Sequence, residues 1–184
     1  MKFLPSLRLA TALALLIPAH TAFAETSPAT ETKPASTPWL YENSDVPVDQ
    51  SWTFGVLDNG LRYAVKRNIV PAGQVSIRVR VDAGALHEED NELGFAHLME
   101  HLAFRGSEHV PEGEAKRIWQ RFGVSFGSDS NAQTTPTQTV YKLDLPNSSP
   151  DTLDESLKIL AGMVRAPNIS ESALNAERAI VQAE

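Results

Sequence analysis

Five residues near the middle of the chain, His97-Leu98-Met99-Glu100-His101, can bring their chemistry together in one backbone conformation only. Residues four apart lie one above the other on the same face of an α-helix, whereas in a strand they would stand about 13 Å apart. The flanking sequence agrees, because Gly94 and Gly106 bound a stretch of helical pattern from Leu93 to Phe104. As a helix, the motif sets two imidazoles where both reach a single tetrahedral ion at roughly 2.0–2.1 Å, with Glu100 beside that face. From there Glu100 can act on a bound water without being a ligand. His-x-x-Glu-His inverts the commoner His-Glu-x-x-His order and is itself a catalytic zinc pattern. The plainer reading is a pair of surface histidines on an amphipathic helix that buries Leu98, Leu102 and Phe104. A catalytic site needs a third protein ligand and an open fourth position; a structural zinc site needs four ligands, and no fourth stands out.

The remaining pattern predicts an α+β fold, a largely antiparallel sheet with helices packed on one face. Trp52–Leu57 and Leu61–Val65 flank Asp58-Asn59-Gly60, a hairpin signal because Asn-Gly tolerates positive φ. Val75, Ile77, Val79 and Val81 alternate with polar residues, as a half-buried strand does, up to Gly84. A helix over Glu112–Phe122 is opened by Pro111 and closed by Gly123. Thr139, Tyr141, Leu143 and Leu145 alternate as a further strand, stopped by Pro146. Ser149-Pro150 opens a helix whose Leu153, Leu157, Leu160, Ala161 and Val164 form one stripe, and Ser170 is the N-cap of the last helix. The predicted order is β-β-β-α-α-β-α-α. Met99 and Trp119 read as core residues, and His87 and His109 as surface histidines in polar loops.

The N-terminus reads as an address. Lys2 and Arg8 precede an apolar run from Leu9 to Ile17, and Ala22-Phe23-Ala24 offers a small-x-small cleavage site. The run is shorter than the about 20 residues of a membrane span. Residues 1–24 are thus expected to be a signal peptide cut after Ala24, and 25–51 a flexible leader whose stretch Glu25–Pro38 has no large apolar residue, with order beginning near Trp39-Leu40-Tyr41 or at Trp52. Without Lys2 and Arg8, 14 basic residues face 23 acidic ones, a formal charge of −9. That balance argues against nucleic acid or an anionic membrane surface as partner. There is no cysteine, so thiolate zinc sites and disulfides are excluded. Export without disulfides fits a bacterial periplasm. The last helical stretch, Ser170 to Glu184, carries no C-cap signal, which suggests an incomplete domain over 52–184.

From Trp52 onward the chain resembles the pitrilysin-type (M16) zinc metallopeptidases. The resemblance rests on His97-x-x-Glu100-His101 and on a Glu followed by a basic residue about 76 residues later, here Glu177-Arg178. It extends to Asp58-Asn59-Gly60-Leu61, Gly94-Phe95-Ala96-His97, Ala103-Phe104-Arg105-Gly106, and Ser130-Asn131-Ala132 followed by Thr139-Val140-Tyr141. It implies one Zn²⁺ per chain held by His97, His101 and Glu177, and peptide-bond hydrolysis with Glu100 as the base. On that spacing Glu177 is preferred to Glu184, which lies two turns further along the same helix face. Asn131 and Ala132 would belong to an edge strand that adds an extended peptide or unfolded polypeptide as a further strand. Many members carry another Glu seven residues before the ligand; Ser170 stands there, with Glu171 next to it. The resemblance also implies a second homologous half closing around the substrate, so the chain alone is expected to be a poor peptidase. A scaffold relative that binds zinc and peptide without turnover is the alternative, and the intact motif argues against it.

Overall fold

A computed structural model describes residues 38, 39 and 41–184, and the expected signal peptide and most of the leader lie outside them. The chain divides after Val65 into two compact units. No helix among the described residues is long and apolar enough to cross a membrane.

The first unit is built around the hairpin of β1 (Trp52–Val56) and β2 (Arg62–Lys66). Gly60 takes φ 87°, a left-handed conformation that favours glycine, and Asn59 Oδ1 accepts from the Leu61 amide. Phe54 lies 4.9 Å, centroid to centroid, from both Trp39 and Tyr41, and the Arg62 guanidinium stands 3.9 Å over the Trp39 ring. These contacts bring Trp39 and Tyr41 into the first unit, ahead of Trp52.

In the second unit, β3 (Val75–Val81), β4 (Ser130–Thr134) and β5 (Thr139–Leu145) form an antiparallel sheet in the order β3-β5-β4. Alternation decides its two faces. Thr139, Tyr141, Leu143 and Leu145 point into the core, and Val75, Ile77, Val79 and Val81 pack beside them. Each large apolar side chain so covered contributes roughly 1.5–3 kcal/mol. The opposite face is polar: Asp144 accepts from Ser76 and Arg78 and pairs with Lys142. Burial pushes the Asp144 carboxyl up, but those three partners outweigh it and hold it at about 2.

Among the described residues there are four α-helices; the first three pack on the apolar face and the fourth against the first. They are α1 (Phe95–Ala103), α2 (Glu114–Arg121), α3 (Pro150–Arg165) and α4 (Glu171–Val181). Trp119 on α2 is fully buried, as expected. Met99 is not; it is 39% exposed, because the side of α1 facing β4 and α4 is the one that carries Glu100 and Leu102. Ser149 and Ser170 cap α3 and α4 through their hydroxyls, as their positions predict.

Two further expectations are corrected. On α3, Leu153, Leu160 and Val164 pack on the core as expected, but the stripe is centred on Ser156, Ile159, Leu160 and Met163, while Leu157 is 47% exposed and Ala161 lies at the surface. The reason is packing against the loop after α1: a Cβ at Gly162 would collide with Ser107, so the helix presents its small residues there and turns Leu157 outward. The second is β4, a strand absent from the order that periodicity predicts, although the resemblance implies an edge strand at Asn131 and Ala132. Its inward positions are Ser130, Ala132 and Thr134, too small and polar to give an alternating apolar signal.

Candidate metal centre

Helix α1 positions the motif, and an acidic residue outside the helix fixes its start. Its N-cap is Gly94, at φ 89° and without a side chain to cap the first turn. Glu88 substitutes for one: its Oε2 accepts from the Gly94 amide at 2.8 Å and its Oε1 from the Ala96 amide at 2.7 Å. The carboxylate thus satisfies orphan amides and complements the positive end of the helix dipole. Glu88→Ala in the full-length protein is expected to lower stability by about 1 kcal/mol and to weaken metal retention, because His97 sits in the unpinned turn. Thermal unfolding and metal titration check both effects.

The two histidine rings meet edge to face, centroids 4.8 Å apart and planes at 81°. His97 Nε2 lies 3.2 Å, and His101 Nε2 3.6 Å, from Glu184 Oε2. One atom from each of these residues falls within 4.8 Å of the others. Ligand atoms on a tetrahedral ion with bonds of roughly 2.0–2.1 Å stand about 3.4 Å apart, so the two imidazoles and the carboxylate fit zinc in spacing and in donor type.

Glu177 occupies a different place from the one its spacing implied. Its Oε2 lies 3.0 Å from His101 Nδ1, the ring nitrogen that faces away from the converging atoms. Its Oε1 makes a 2.6 Å ion-pair contact with Arg105 Nε, and Arg105 Nη1 donates to Glu112 Oε1 at 2.9 Å. A carboxylate there suits the tautomer that donates from Nδ1, and that tautomer leaves the Nε2 lone pair for a metal. Glu184 lies three residues past the end of α4, beyond its C-cap Gln182, and there the chain reaches the Nε2 side of both rings, off the helix face on which the sequence placed it. Arg105 is the residue missed by sequence reasoning here; it lies just past the C-cap of α1, where helix periodicity gives no signal.

Glu100 is buried, 9% exposed, and its Oε2 accepts from Thr134 Oγ1. Nearby, Tyr141 has its phenol pushed up to about 12, by burial first and then by the negative charge of Glu100, so it stays neutral across the physiological range. A cavity of about 680 Å³ opens over these groups. His97, Glu100, His101, Glu177 and Glu184 line it, and so do Asn131 and Ala132 of β4. β4 is an edge of the sheet, and the Ala132 amide donates to the Asn131 side chain. His87 and His109 are exposed and outside this cavity.

Known proteins share this arrangement of elements. Residues 63–184 match the family model described as insulinase, peptidase family M16. A protein of Escherichia coli named "Probable zinc protease PqqL" is 34% identical over 139 residues, which are 76% of this chain and 15% of that protein. The crystal structure of the periplasmic protease PqqL from Escherichia coli superposes with a TM-score of 0.71 at 34% identity, covering 75% of this chain and 15% of that one. A structure of the first half of the same protease gives the same score over 30% of its length. The chain thus spans less than a fifth of the relative it matches. Motif, fold and family model agree, and the chain belongs to the insulinase family of peptidases, family M16.

Proposed function

We propose that this chain carries the metal-binding and proton-transfer residues of a zinc-dependent endopeptidase acting on peptides or unfolded polypeptides. The observation that carries the reading is the convergence of His97 Nε2, His101 Nε2 and Glu184 Oε2 beside the buried carboxylate of Glu100, in a cavity bordered by a sheet edge. His97, His101 and Glu184 hold one Zn²⁺. Glu177, expected from spacing as the third ligand, instead orients His101 through Nδ1 and is itself held by Arg105; such partners fix ring orientation and raise ligand basicity.

Bound there, zinc would supply Lewis-acid polarisation of the scissile carbonyl and acidify its water toward a pKa of about 7. The chain's own residues do the rest. Glu100 takes the proton of the attacking water and passes it to the leaving amine. Asn131 and Ala132 present the edge of β4 to an extended substrate, whose main chain pairs with it while its side chains alternate toward and away from the cavity. Burial of Glu100 and the walls of the cavity limit competing water.

Two further proposals concern the whole protein. Its working form has a second homologous half that completes the substrate chamber, consistent with the solved relative described as a first half. Its place is the periplasm, after cleavage following Ala24, in line with the compartment named for the Escherichia coli protease. Metal analysis tests the central reading: the purified full-length protein should carry about one zinc for this site, and His101→Ala should lose it. Zinc retained in full by His101→Ala would refute the assignment.

A further inference from the structure

Glu100 is held by a residue of the sheet, not of its own helix. Thr134, the last residue of β4, pairs across the hairpin with Thr139 of β5, and their hydroxyls are 3.4 Å apart. Thr139 is buried, and its Oγ1 lies 3.0 Å from the carbonyl oxygen of Ala83. That carbonyl is fixed in turn: a Cβ at Gly84 would collide with the backbone of Thr135, and the Leu86 amide donates to the Pro136 carbonyl at 2.8 Å. The segment after β3 is thereby clamped to the β4–β5 turn.

Proton counting assigns the direction of each bond. Each threonine has one hydroxyl proton, while a backbone carbonyl and an ionised carboxylate can only accept. Thr139 gives its proton to Ala83, so Thr134 gives its own to Glu100, at 2.7 Å. The contact between the two hydroxyls sets their spacing and carries no proton. The Thr134 rotamer is thus fixed by a buried neighbour, and it delivers a charge-assisted bond to one oxygen of the carboxylate.

We propose that Thr134 is a positioning residue for the base: it holds Glu100 by Oε2 and so leaves Oε1 as the oxygen that receives the proton of the attacking water. This rests on Glu100 being the base. Because Thr134 ends the strand that borders the cavity, the groups that meet substrate and the group that aligns the base belong to one rigid hairpin.

The test compares Thr134→Val, nearly the same shape without the donor, with Thr134→Ser, which keeps it, in the full-length zinc-loaded protein. Thr134→Val should lower kcat about 10- to 100-fold with KM within about twofold, since a misplaced reacting group costs up to about 10²-fold. Zinc content should not change, Thr134→Ser should recover most of kcat, and a crystal structure of Thr134→Val should show the Glu100 carboxylate rotated from its place. Added to Glu100→Gln, Thr134→Val should cost nothing more, because no base is left to align. Wild-type kcat in Thr134→Val, an equal loss in Thr134→Ser, or loss of zinc from either would overturn the inference while leaving Glu100 as the base. Activity retained by Glu100→Gln alone would remove the base itself, and the inference with it.

Discussion

Glu100→Gln, in the full-length protein, is expected to lower kcat/KM by about 10²–10⁴-fold while zinc stays bound at the wild-type level. The substitution keeps the volume of the side chain and its acceptor for Thr134, so the wall of the cavity is preserved. What it removes is the ability to accept a proton. Glu100 contributes no ligand atom to the His97, His101 and Glu184 cluster, which is why metal content should be indifferent to it. The expected split, hydrolysis lost and metal kept, separates a base from a ligand and from a residue needed only for folding. Burial sharpens the argument: at 9% exposure the carboxylate has little solvent to compete for the reacting water. Near wild-type hydrolysis of an unfolded polypeptide by Glu100→Gln would show that the proton goes elsewhere.

Much of this arrangement is legible in the sequence, and the places where it is not share a cause. The histidine pair, the Asn-Gly hairpin and the serine caps are local: their geometry follows from residues within one or two turns. The α3 stripe was legible in part: Leu153, Leu160 and Val164 do pack on the core, but its centre, Ser156-Ile159-Leu160-Met163, begins on a serine and includes the turn where only Gly162 admits the neighbouring loop, which leaves Leu157 and Ala161 outside. β4 escaped the periodicity because an edge strand beside a cavity needs small inward residues. The choice between Glu177 and Glu184 could not be made from spacing. Glu177 sits on α4 and Glu184 three residues past its end, and only the placement of α4 and of the turn after it against α1 decides which meets Nδ1 and which meets Nε2. The same holds for Glu88, whose helix-capping role depends on a loop folding back by eight residues.

The second large effect concerns that choice. Glu184→Ala should reduce zinc affinity by far more than Glu177→Ala. Removing Glu184 takes away the only carboxylate oxygen that approaches both Nε2 atoms among the described residues, leaving two neutral imidazoles. Removing Glu177 leaves all three converging atoms in place but frees the His101 ring and strands Arg105 without its buried partner. Loss of such an orienting group typically costs about 10–100-fold in metal affinity or activity. The most direct measurement is zinc affinity by chelator competition on the two variants, side by side in the full-length protein. The account predicts that Glu177→Ala keeps measurable zinc at an affinity about 10–100-fold below wild type, and that Glu184→Ala falls well below that range. Zinc lost from Glu177→Ala but held at wild-type affinity by Glu184→Ala would contradict it and return the third ligand to Glu177.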